Sequence, residues 1–141
     1  MAVERPVDDS ISAESLVGTW ELRSYHDLGS EGEVCEGPLG PEPSGLLLYR
    51  EDGFMSVSMM RTGVPGRSVQ TELFMGYAGS WHTEGRSVFH DIRVSSHQHM
   101  VGTLQERRVT FGSGELVLRG TAMIAGRPRE RVLSWRRFGV S

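Results

Sequence analysis

Three side chains in this 141-residue chain have the types needed to polarise or clamp a small polar group: Tyr49, His90 and Arg107. A tyrosine hydroxyl donates to a carbonyl, an imidazole titrates near neutrality, and a guanidinium forks onto an enolate, tetronate or carboxylate. Tyr77 adds a second phenolic donor, and Gln105 stands two residues before Arg107, so both face one side of a strand. Each has a plainer reading. An inward histidine is commonly a core residue satisfied by a neighbouring hydroxyl or amide, and tyrosine rings fill a core while their hydroxyls pair with that histidine or with Gln105. Arg107 could equally be structural, stacked on Trp20 at a closed end.

Much chemistry is excluded by what the chain lacks. All fifteen basic residues are arginine; there is no lysine and no asparagine, the signature of a GC-rich, bacterial genome. Without lysine there is neither a side-chain Schiff base nor a phosphate-loop lysine. Cys35 is the single cysteine, with no partner for a disulfide and no zinc-ligand spacing, and reads as an incidental loop thiol. His97 and His99 form a His-x-His pair without a third ligand, so no metal and no cofactor is expected. A formal net charge of −3 with interspersed signs offers no face for nucleic acid. No apolar run approaches the roughly 20 residues of a membrane helix, and Met1 to Ser15 has no apolar signal-type stretch, so a soluble, cytoplasmic protein is expected, as a monomer or homodimer.

The elements that must position these side chains are strands. Alternating segments run from Leu16-Val17-Gly18-Thr19-Trp20-Glu21-Leu22 to Leu133-Ser134-Trp135-Arg136-Arg137, and no stretch holds a long 3.6-residue period. Eight strands are predicted, at about Val17–Asp27, Gly45–Tyr49, Phe54–Met59, Leu73–Thr83, Arg86–Ser95, Val101–Phe111, Glu115–Met123 and Glu130–Phe138. Asp52-Gly53 marks the firmest hairpin, and Gly85 and Gly112-Ser113-Gly114 mark two more. The fold class is therefore all-β, an eight-stranded antiparallel up-and-down barrel, residues 16–138, behind a leader at 1–15 whose Ser12–Leu16 turn could plug one end. In a meander the tight turns share one end. The longer connections, Leu28–Pro43 (read as a lid), Thr62–Glu72, Ser96–Met100 and Ala125–Arg129, then rim an open mouth.

Taken in order, several segments together resemble the bacterial lipocalin-like domain family, small barrels of calycin type. They are Leu16 to Leu22, Pro38-Leu39-Gly40, Gly45 to Tyr49 with Asp52 to Val57, Tyr77-Ala78-Gly79, His90, Val101-Gly102-Thr103 with Gln105 and Arg107, and Leu133 to Arg137. The resemblance implies a binding barrel and no single reaction. Related small barrels of polyketide pathways include cyclases of Diels–Alder or conjugate-addition type, pericyclases that need no cofactor.

Strict alternation puts Leu22, Ser24, His26, Leu47, Tyr49, Met55, Val57, Met59, Tyr77, Trp81, Val88, His90, Ile92, Gln105, Arg107, Val109, Leu116, Leu118, Leu133 and Trp135 inside. That set contains no carboxylate, which disfavours a glycosidase pair and a Ser-His-Asp triad. An apolar, Met-rich and aromatic wall with a few polar anchors is the composition of a small-molecule pocket. The expectation is an enzyme that folds a hydrophobic, polyketide-like substrate and closes a ring, with Tyr49, His90 and Arg107 as the catalytic groups. Leu22, Ser24, His26, Leu47, Met55, Val57, Met59, Tyr77, Trp81, Ile92, Gln105, Leu118 and Trp135 would contact the ligand. The alternatives are a non-catalytic carrier or sensor of a hydrophobic metabolite, and a barrel filled by its own core.

Overall fold

A computed structural model describes residues 10–63, 73–124 and 126–139. After a four-residue helix, α1 (Ala13–Leu16), come β1 (Gly18–Leu28), β2 (Val34–Glu36), β3 (Pro43–Tyr49), β4 (Phe54–Arg61), β5 (Phe74–Glu84), β6 (Ser87–Ser95), β7 (Leu104–Gly112), β8 (Glu115–Ile124) and β9 (Arg127–Arg137). Neighbours pair antiparallel in the order β2-β1-β3-β4-β5-β6-β7-β8-β9, and β9 returns to pair with β1. That last pairing closes the sheet, leaving β2 as an extra strand beside β1 on a barrel of eight. Closure removes the sheet edges that an open meander would expose.

The hairpin at Asp52-Gly53 follows the turn chemistry. Gly53 takes φ +93°, its N–H donates to Arg50 O at 3.1 Å, and the Phe54 N–H donates to Asp52 Oδ1 at 3.1 Å. The supposed lid is more ordered than its four glycines and three prolines suggest. β2 pairs with Asp27 and its neighbours, Leu39 is fully buried, and Arg61 Nη2 donates to Pro38 O at 3.4 Å. Thr62 hydroxyl also donates to Glu42 O. This segment is a pinned cover. The β8–β9 connection is shorter than the expected Ala125–Arg129 loop, because the strands continue to Ile124 and from Arg127. The expected loop at Thr62–Glu72 falls mostly outside the described residues.

One end of the barrel is packed shut. Leu16, Tyr49, Met55, Val88 and Leu116 are all 0% exposed in a continuous core that includes Trp20, Trp81 and Trp135. Trp20 Nε1 donates to Leu16 O at 2.9 Å, which ties α1 across the floor. Arg137, rather than Arg107, stacks on Trp20, with its guanidinium carbon 4.4 Å from the ring centre. It donates to Val17 O and Ser15 O at 3.0 Å each. Gly18 has no side chain for a reason: a Cβ there would lie 2.7 Å from Arg137 Nη1.

Two bulges correct the strict alternation. Between Leu22 and Ser24, β1 advances two residues while β9 advances one, from Trp135 to Ser134. One extra residue inverts every later side chain of the strand. Tyr25 and Asp27 therefore turn inward, opposite Leu133 and Arg131, and the expected ligand contacts Ser24 and His26 turn out, opposite Ser134 and Val132. A second bulge, between Ala78 and Gly79 on β5 opposite Arg93 on β6, turns Val94 out to 62% exposure and Ser95 in.

Candidate functional site

Above the packed floor the barrel holds a cavity of about 480 Å³, inside the size range of small-molecule pockets. Its apolar wall is Leu47, Val57, Met59, Met75, Leu118, Leu133 and Trp135. Its polar lining is Tyr25, Tyr77, His90, Gln105, Arg107 and Arg131, with His97, His99 and Thr103 toward the mouth and Pro38 from the cover. Of the connections expected to rim this end, that between β6 and β7 supplies His97, His99 and Met100 and contains a 3-10 turn at Gln98–Met100, and that between β1 and β3 supplies Pro38.

At the centre is a buried chain of three rings. Trp81 pairs with His90 across β5 and β6, and Gln105 pairs with His90 from β7. Tyr49 hydroxyl lies 2.6 Å from His90 Nε2, and Tyr77 hydroxyl lies 2.6 Å from His90 Nδ1. Burial, reinforced by the positive charge of Arg107, pushes the imidazole down to about 3, so it is neutral at physiological pH. Burial also raises both phenols, Tyr49 most, so neither ionises. A neutral imidazole has one donor and one acceptor. Tyr49 is fully buried and His90 is its one hydrogen-bond partner among the described residues, so the arrangement that satisfies every buried donor has Tyr49 donating to Nε2. His90 then carries its proton on Nδ1 and donates it to the Tyr77 oxygen. The Tyr77 O–H is left to point into the cavity that Tyr77 lines.

A second polar group lies on β7, β8, β9 and β1. Gly120 on β8 is opposite Arg131 on β9, which is opposite Asp27 on β1. Arg107 reaches across Gly120, where an added Cβ would meet its Nη1 at 2.8 Å. Arg131 Nε is 3.2 Å from Asp27 Oδ1, an ion pair too bent to count as a hydrogen bond, since both atoms lack one. Arg131 Nη1 donates to Tyr25 hydroxyl at 3.3 Å. Burial outweighs these guanidinium charges and raises the Tyr25 phenol, which stays protonated.

The sequence-predicted residues therefore divide. Leu47, Val57, Met59, Tyr77, His90, Gln105, Arg107, Leu118 and Trp135 are brought together on the cavity wall. Leu22, Met55, Trp81 and Ile92 point in but are buried without lining the cavity. Tyr49 touches the cavity only through His90, which makes it a positioning residue. Ser24 and His26 are on the outer face. Tyr25, Asp27 and Arg131 were missed, and the inner face does hold a carboxylate. Arg131 had a signal: it lies two residues before Leu133, in phase with Trp135. Tyr25 and Asp27 had none, because the bulge that turns them has no marker of its own. Among the described residues no group of three His, Cys, Asp or Glu side chains could hold a metal ion, and no helix is long and apolar enough to cross a membrane.

The family model described as a lipocalin-like domain matches residues 17–138, the span from the end of α1 to just beyond β9. No curated protein and no solved structure matches the chain.

Proposed function

We propose that this chain, which belongs to the lipocalin-like domain family, holds a mostly apolar small molecule in its barrel and fixes a carbonyl of that molecule on the Tyr77 hydroxyl. The observation that carries this reading is the Tyr49–His90–Tyr77 chain, with bonds of 2.6 Å on both imidazole nitrogens and one phenolic donor left over at the cavity. A neutral donor held from behind polarises a carbonyl without transferring a proton to it. His90 does not act as a general base here, since the imidazole titrates far below neutrality.

The same chain favours a second step, cofactor-independent ring closure of a polyketide-like substrate of Diels–Alder or conjugate-addition type. Such a closure is an isomerisation in which new bonds form at the expense of π bonds and nothing leaves. Its rate comes from holding a flexible chain in one conformation and lowering the energy of an electron-poor carbonyl. A carrier could use the same donor to orient its ligand, so turnover is what separates the two readings.

Native mass spectrometry of protein taken from its producing host, with extraction of whatever is bound, tests the binding reading. An apolar metabolite in the barrel supports it. An empty barrel, with no melting shift across an extract of the host's metabolites, refutes it. If the ligand is a linear precursor, mass-neutral conversion followed by chromatography tests ring closure. Tyr77→Phe should slow that conversion by roughly 10- to 100-fold with the fold intact, the cost of one hydrogen bond to the transition state. Unchanged conversion would assign the rate to shape alone.

A further inference from the structure

We propose that the pole of the cavity formed by Arg107, Arg131 and Tyr25 is an anion site, and that the natural ligand is an apolar molecule carrying one negative charge, a carboxylate or an acidic enol. This rests on the reading of the barrel as a small-molecule binder and names the class of molecule it takes.

The charge count is the first argument. Two guanidiniums, Arg107 on β7 and Arg131 on β9, and one carboxylate, Asp27 on β1, sit around this wall, with Gly120 of β8 between the two arginines. Asp27 is matched to Arg131 at 3.2 Å. Among the described residues no carboxylate is within ion-pair distance of Arg107, whose one hydrogen bond goes to the backbone oxygen of Glu106 at 2.9 Å. The Glu106 side chain is engaged elsewhere, accepting from Ser87 at 2.7 Å. One positive charge is left facing the cavity.

The second argument is placement. Arg107 lies across Gly120, and any larger residue at 120 would force its side chain to shift. Its field reaches Tyr25, Tyr49, Tyr77 and His90, all groups at or behind the cavity wall. A guanidinium held beside apolar side chains interacts with an anion far more strongly than one in water, and binds carboxylate oxygens in a fork. Tyr25 supplies a third donor, because Arg131 occupies its oxygen and leaves its O–H available. The anion pole and the Tyr77 hydroxyl line one cavity, so a ligand carrying both an acidic group and a carbonyl would be held at two points.

Two fluorescent probes with the same aromatic body separate the effects: anilinonaphthalene sulfonate, charged at every working pH, and the uncharged N-phenyl-naphthylamine. Wild-type protein should bind the sulfonate at least about tenfold more tightly, as expected for a charge-assisted hydrogen bond. Arg107→Met should abolish that preference and leave the neutral probe within about threefold. Arg107→Lys should keep part of the preference, and Gly120→Ala should weaken it by displacing the guanidinium. Equal binding of both probes to wild-type protein overturns the anion site and leaves the binding barrel standing. A preference that survives Arg107→Met also overturns it. If neither probe binds, the small-molecule reading falls as well.

Discussion

The floor and the mouth of this barrel are made by the same strands, yet they treat their polar groups differently. At the floor, two indoles and a guanidinium find backbone carbonyls, although the buried Trp135 Nε1 has no partner among the described residues. Trp20 donates to Leu16 O, Trp81 to Arg50 O at 2.9 Å, and Arg137 to Val17 O and Ser15 O. At the mouth, Tyr77, Tyr25 and Arg107 keep donors that no acceptor among the described residues takes. Satisfied polar groups specify a single packing, whereas unsatisfied ones beside a cavity are poised for something brought from outside. The stability of the molecule should thus reside in the floor and its recognition in the mouth.

The largest break in that contrast is expected from Trp20→Ala, which removes a buried indole, its bond to α1 and the platform for Arg137. A loss of about 3–5 kcal/mol is expected in urea unfolding, with probe affinity per folded molecule unchanged. A loss below about 1 kcal/mol would mean that the floor is not where stability lies.

His90 stands between the two regions and gives the next largest effect. Its folded value near 3 lies below the ordinary 6.5, so the unfolded chain binds the extra proton between those limits. The contribution is complete above pH 6.5 and is lost as pH falls toward 3, with a slope approaching about 1.4 kcal/mol per pH unit. Stability of wild type and His90→Gln measured across this range should converge as the solution is acidified, after carboxylate effects common to both cancel. Parallel curves would place the imidazole in water rather than in the core.

The smallest effect compares one arginine from each end. Arg137→Met should cost about 1–2 kcal/mol, for a cation–π contact and two hydrogen bonds, while Arg107→Met should cost less than about 0.5 kcal/mol in the absence of ligand. Thermal unfolding of both variants decides this. Equal losses would erase the division of labour.

Much of the barrel was legible because alternation is a local property. Asp52-Gly53 announced its hairpin, and Leu47, Val57, Met59, Leu118 and Trp135 reach the cavity by counting in twos from neighbours that had to be buried. His90 and Arg107 followed by the same rule. Ser24 and His26 failed it because the bulge after Leu22 adds one residue, and nothing in Glu21-Leu22-Arg23-Ser24 distinguishes a bulged strand from a regular one. Tyr49 and Trp81 failed differently. Both point in, but depth along the barrel axis depends on where α1 and Trp20 seal the floor.

The amino-acid sequence by itself determined the eight strands of the barrel, though not β2 beside them, the antiparallel meander, the two faces of most strands and the absence of lysine chemistry. These depend on side-chain period and turn residues, which act between near neighbours. Tertiary structure alone decided that Tyr49 and Tyr77 take opposite nitrogens of His90. It also decided that Asp27 crosses to the inner face to pair with Arg131, and that Arg107 rests over Gly120 with no carboxylate of the described residues in ion-pair reach. Those outcomes depend on register between strands distant in the chain, where a shift of one residue exchanges inside for outside.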